Sequence, residues 1–201
     1  MNAINYDKLM TEQIKSADKN SRLLLHCCCA PCSSACLERL KDYFKITVLF
    51  YNPNIEDAEY ARRKSELERF IALTGCADIT ECDRDTAEFD RAVKGLEDQP
   101  EGGRRCAECF KLRLSKTAEI AERGNYDFFA TTLTISPLKN AALINGIGEK
   151  LQEGRRAKWL YSDFKKRDGY LQSIRLSEKY GLYRQDFCGC RYSLRNDLKN
   201  S

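Results

Sequence analysis

The 201-residue chain holds one histidine, one tryptophan, two methionines and four prolines. A single imidazole, His26, excludes a histidine-rich metal site and leaves acid–base work to carboxylates, tyrosines, thiols or metal-bound water. No apolar run approaches the roughly 20 residues of a membrane span, and the opening MNAINYDKLMTEQIKSADKN lacks the apolar core of a signal peptide. A cytoplasmic protein without a membrane partner is expected. Internal repeats, low-complexity tracts and domain linkers are also missing. With 42% hydrophobic residues, the chain can bury one substantial core. A single domain over residues 1–201 is expected, with an N-terminal extension at 1–21 and a C-terminal segment at 182–201.

Cysteine is abundant instead, with eleven in all. In a reducing compartment clustered thiols point to metal binding or catalysis rather than disulfides, and the odd count agrees. Five fall within ten positions of LLLHCCCAPCSSAC, directly after an apolar run. RRCAECFKLRL adds Cys106 and Cys109 at a helix start, and DFCGCR adds Cys188 and Cys190. Cys28, Cys29 and Cys32 with these four give seven clustered thiols. Four thiolates suffice for zinc or an ordinary iron–sulfur cluster, so seven suggest a cluster with a second metal or a redox dithiol. The ferredoxin and radical-enzyme spacings are both broken by alanine at position 35, so any cluster is assembled from separated segments.

The other four cysteines read as small buried hydrophobes. Cys27 points away from Cys28 if the strand persists, Cys36 lies a turn beyond Cys32, and Cys76 and Cys82 flank the third apolar run. His26 reads as structural.

Apolar, β-rich runs at 22–27, 46–52, 77–82, 127–134 and 157–164 alternate with helical spacings that end near Gly75, Gly124 and Gly154. The pattern predicts right-handed βαβ crossovers and a three-layer α/β/α fold around a five-stranded, mainly parallel sheet. Ligands of such sheets bind beyond the carboxyl ends of the strands. There the sequence places CCAPC, YNPNI, CDRD, TISP and SDF. Asp83 and Asp163 become candidate catalytic carboxylates or proton relays. Tyr51, Asn52, Asn54 and Ser136 become candidate substrate contacts. Residues 150–201 carry 13 lysines and arginines against 6 acids. Arg155, Arg156, Lys165, Lys166 and Arg167 are therefore candidates for gripping a nucleic-acid backbone.

Taken together, His26-x-Cys28-Cys29-Ala30-Pro31-Cys32, Tyr51-Asn52-Pro53-Asn54-Ile55, Arg105-Cys106-x-x-Cys109-Phe110-x-x-Arg113-Leu114, Thr131-Thr132-Leu133 through Asn140, and Gly181-Leu182-Tyr183-Arg184-Gln185 through Cys190 resemble the epoxyqueuosine reductases of the QueH type. The resemblance covers nearly everything from Leu23 to Cys190. It implies reduction of epoxyqueuosine in tRNA to queuosine, without cobalamin, using a 4Fe-4S cluster, an additional iron and an unidentified electron donor. It also implies a core related to the adenine-nucleotide-binding (HUP, or PP-loop-like) superfamily, with cysteines where a glycine-rich phosphate loop would sit. Two other readings of the residues remain: a thiol–disulfide oxidoreductase using the CAPC dithiol, and a zinc-stabilised RNA-binding module.

Overall fold

The computed structural model describes residues 4–193; residues 1–3 of the expected extension and 194–201 of the expected C-terminal segment lie outside the described residues. The chain runs α1 (Tyr6–Ser16), β1 (Arg22–His26), α2 (Ala30–Leu40), β2 (Lys45–Leu49), α3 (Asp57–Thr74), β3 (Asp78–Thr80), α4 (Thr86–Val93), α5 (Arg104–Arg123), β4 (Phe128–Thr131), α6 (Ala141–Leu151), β5 (Lys158–Trp159) and α7 (Gly169–Tyr180). The strands form one sheet in the order β3-β2-β1-β4-β5, and every pairing is parallel. This is the expected five-stranded α/β fold. No helix among the described residues is long and apolar enough to cross a membrane.

Alternation along β1 divides the core. Leu23, Leu25 and Cys27 pack with Leu37 and Leu40 of α2, Phe70 and Ile71 of α3, and Leu176 of α7. Leu24 and Cys28 pack on the opposite side with Leu114, Ala118 and Ala121 of α5 and Ile144 of α6. Helices thus cover both faces, as an all-parallel sheet requires. Cys36 shares the first cluster with Cys27, and its thiol donates to the Cys32 carbonyl at 3.2 Å.

The last two strands are shorter than their apolar runs. β4 stops because the Thr131 hydroxyl accepts from the Leu133 amide and is hydrogen-bonded to the His26 ring, turning Thr132–Ile135 into a 3-10 turn. β5 pairs at only two positions. The chain beyond it is held by side chains: Gln13 of α1 bonds the Trp159 carbonyl and the Tyr161 amide, and Asn145 bonds both Ser162 backbone groups.

Candidate metal centre and its flanking cavity

The β1–α2 turn brings three thiols together. Cys29 takes the N-cap position of α2 in extended conformation, and Pro31 sits in the first turn, where no amide donor is missed. The sulfurs of Cys28, Cys29 and Cys32 lie within 4.8 Å of one another, with Cys28 and Cys29 at 3.8 Å. Cys106 and Cys109 stand on the first two turns of α5, and Cys188 and Cys190 follow α7. These four line a cavity of about 110 Å³ together with Asn54. A wider neighbouring cavity of about 310 Å³ has Cys32 and Cys188 in its wall. Cys188 and Lys139 belong to both. Three distant stretches of sequence therefore converge at the carboxyl end of the sheet.

Buried arginines fix this convergence. Arg113 of α5 donates from Nε to His26 Nε2 at 3.2 Å and from Nη2 to Asn52 Oδ1 at 2.5 Å. His26 Nε2 lies between this guanidinium and the Tyr51 carbonyl at 3.0 Å, and Nδ1 lies 2.8 Å from the Thr131 hydroxyl, so both ring nitrogens are partnered within the core. Burial first, and the Arg113 charge second, hold the His26 pKa down at about 3, so the ring is neutral. Asn52 completes the chain by donating to the Cys27 carbonyl at 2.9 Å. Arg63 of α3 donates to the carbonyls of Cys188 (2.9 Å) and Phe187 (3.2 Å). Gly189 between the last two cysteines has φ +89°, and a Cβ there would meet the Arg63 guanidinium at 2.9 Å. Glycine is needed both for the turn and for the close approach. An antiparallel bridge from Ile55 to Cys190 ties this segment to the loop after β2.

The protonation pattern suits a cation. Hydrogen bonds from Cys29 and Cys32 draw the Cys28 thiol well below its usual pKa, with the Lys139 and Arg113 charges helping. The same sharing pushes Cys29 up to about 12 and Cys32 well above its usual value. Burial raises Cys109 to about 12, Cys190 to about 11, and Cys106 as well. One thiolate is supported without further positive charge; the thiols whose pKa is raised would be deprotonated by a bound metal, which binds thiolates and releases their protons. Soft sulfur donors in this number fit iron–sulfur or zinc chemistry. Both amide atoms of the buried Asn54 lack partners, leaving one donor and one acceptor available beside the thiols.

The expected site residues divide. Asn54 lines the smaller cavity and Ser136 the wider one. Tyr51 and Asn52 are internal supports: the tyrosine hydroxyl donates to Glu88, and the asparagine joins Arg113 to the β1 end. Neither cavity includes Asp83 or Asp163. Asp83 is exposed beyond β3, and the Asp163 carboxylate is paired with Lys165 at 2.5 Å. The five basic residues do not share a face. Arg155 and Arg156 precede β5, at the amino end of the sheet, where Arg156 pairs with Asp127 just before β4. Lys165, Lys166 and Arg167 follow β5 at the carboxyl end; Arg167 is paired with Asp7 at 2.9 Å, and Lys166 is exposed. Lys139 was not singled out by its spacing. Burial opposes its charge, yet Cys188, Cys28 and Cys32 outweigh that and raise its pKa.

By fold and site the molecule is a three-layer α/β protein with a metal-competent thiol centre at the carboxyl end of its parallel sheet. Residues 23–196 match the family model described as epoxyqueuosine reductase QueH, and the chain belongs to that family. Proteins named epoxyqueuosine reductase QueH include one from Streptococcus pyogenes serotype M1, 45% identical over 94% of this chain and 78% of its own length. One from Staphylococcus epidermidis is 40% identical, covering 94% and 84%. One from Thermotoga maritima is 34% identical, covering 86% and 90%. A crystal structure described as a predicted subunit of tRNA methyltransferase from Methanocaldococcus jannaschii superposes with a TM-score of 0.50. It covers 78% of this chain and 74% of that one at 13% identity, a likeness of fold alone.

Proposed function

We propose that this chain reduces epoxyqueuosine in tRNA to queuosine at the junction of the two cavities, drawing electrons from a separate one-electron donor. The observation that carries the reading is the convergence of seven thiols from three segments around Arg113 and Lys139, in a chain of this family. Cys28, Cys29, Cys32, Cys106, Cys109, Cys188 and Cys190 would hold a 4Fe-4S cluster and an additional iron. Bound there, such a cluster would supply single electrons and the iron would supply Lewis acidity toward the epoxide oxygen.

Opening the epoxide to the alkene consumes two electrons and two protons and releases its oxygen as water. This chain's residues position the ring and handle the protons. Lys139 stands at the junction, where its ammonium offsets thiolate charge and offers a proton toward the leaving oxygen. Asp83, exposed beyond β3, and Asp163, paired with Lys165, line neither cavity, so Lys139 is preferred for that role. Asn54 offers its unpaired amide to ring hydroxyls, and buried Tyr51 and Phe110 keep bulk water from the thiols. Lys165, Lys166 and Arg167 are on the correct end of the sheet to meet phosphates; Arg155 and Arg156 are not.

The test is anaerobic incubation of the iron-reconstituted protein with dithionite, methyl viologen and tRNA carrying epoxyqueuosine, followed by digestion and mass spectrometry of the nucleosides. Loss of one oxygen atom from the modified nucleoside is expected. Unchanged epoxyqueuosine with a demonstrably reduced cluster contradicts the reading.

A further inference from the structure

The wider cavity contains features that the thiol chemistry does not use. The Gln185 Oε1 atom is buried in its wall without a hydrogen-bond partner. Leaving such an acceptor unpaired is costly, and an incoming N–H group offsets that cost. Among the described residues few large hydrophobic side chains are exposed, and two of them, Leu138 (73%) and Tyr170 (40%), line this cavity. Tyr170 is steadied by Arg184, whose guanidinium lies 5.8 Å from the ring centre and is itself bonded to the Ser173 carbonyl and the Ser177 hydroxyl. The charges of the wall balance, with Lys139 and Arg184 against Glu101 and Asp186. That balance disfavours a phosphate group and favours a neutral, hydrogen-bonding ligand with a flat face.

We propose that this cavity seats the nucleobase, with Gln185 accepting from the Watson–Crick edge of a guanine-type base and Tyr170 providing the stacking surface. The wall is rich in acceptors at Gln185, Asp186 and Glu101. A guanine-type edge is the complement, because it presents a ring N–H and an exocyclic amine side by side. Single-stranded loop bases are read in this way, by stacking on aromatic rings and by edge hydrogen bonds. With the base seated there, Cys32 and Cys188 in the same wall face whatever group the base carries. The inference rests on the tRNA reading for its ligand and adds which residues recognise the base.

The test compares two RNA hairpins of anticodon-loop sequence, one with unmodified guanine at the modified position and one abasic there. Fluorescence anisotropy on the reconstituted protein gives their affinities. A specific base contact typically discriminates by roughly tenfold or more. Gln185→Leu should therefore weaken binding of the guanine hairpin roughly tenfold, and the abasic one less than about twofold. Tyr170→Ala should behave likewise, and Tyr170→Phe should restore affinity. Equal losses on both hairpins, or no loss on either, overturn the proposal. Tyr170 is exposed, so its replacement keeps the test valid if Gln185→Leu fails to fold. Neither hairpin is reducible, so a failure here is separate from a failure of the reductase assay.

Discussion

Serine at Cys190 or at Cys29 is expected to abolish turnover, by roughly a hundredfold or more, and to lower the iron bound per chain. Even residues that merely support ligands typically cost 10–100-fold in metal affinity or activity, and loss of a thiolate donor should exceed that. The two positions come from different segments, one at the start of α2 and one after α7. A matching loss at both is expected if both segments contribute ligands to the metal centre. Cys27 and Cys36 provide the contrast, since both are fully buried in the core on the other side of the sheet. Cys27→Ala and Cys36→Ala should each retain iron and activity while losing about 1 kcal/mol of stability, as expected for a small cavity. Iron assay, turnover and thermal melts read all four variants. Full activity in Cys29→Ser or Cys190→Ser contradicts the assignment.

Replacing Arg113 by methionine is expected to destabilise the metal-free fold by about 2–4 kcal/mol, because buried polar groups that lose their partner cost about 1–3 kcal/mol each. The melting temperature should fall by roughly 10 °C for a chain of this size. The loss leaves the buried Asn52 carbonyl without a donor, removes one of the two partners of His26 Nε2, and loosens the anchor on the Cys27 carbonyl. Lysine should not rescue it. A single ammonium lacks the planar fork that reaches His26 and Asn52 together. Because the melt is recorded without iron, it separates the scaffold from the metal. A melting point within about 2 °C of the unaltered protein would show that the network contributes little.

Legibility in the sequence followed the strength of local signals. The strands of the sheet were visible because fully buried parallel strands read as continuous apolar runs, and RLLLH is one. Their ends were less visible, since β4 is ended by a side-chain contact with His26, a residue 105 positions away. α7 was missed for a clear reason: its buried face is Ser173, Leu176 and Ser177, and its N-cap residue Asp168 is left-handed without a capping hydrogen bond. Little hydrophobic period or capping signal remained to detect. α1 likewise buries one apolar residue completely, Met10.

At the site, cysteine spacing carried the information because sulfur chemistry narrows the options for each residue. Arginine and lysine spacing did not. Nothing local distinguishes Arg113, which points inward to His26, from Arg155 and Arg156, which lie at the far end of the sheet. In YNPNI, only the fold separates Asn52, fully bonded within the core, from Asn54, left with an unpaired amide.

The central claim is that the converging thiols hold iron and sulfide in a redox-active form. Iron, acid-labile sulfide and zinc should be measured on protein purified anaerobically, with EPR spectra before and after dithionite. Iron in excess of one four-iron cluster, with sulfide and a signal that responds to dithionite, is the predicted result. Stoichiometric zinc without sulfide, persisting after anaerobic iron–sulfur reconstitution, would contradict it and leave the proposed reduction without its electron source.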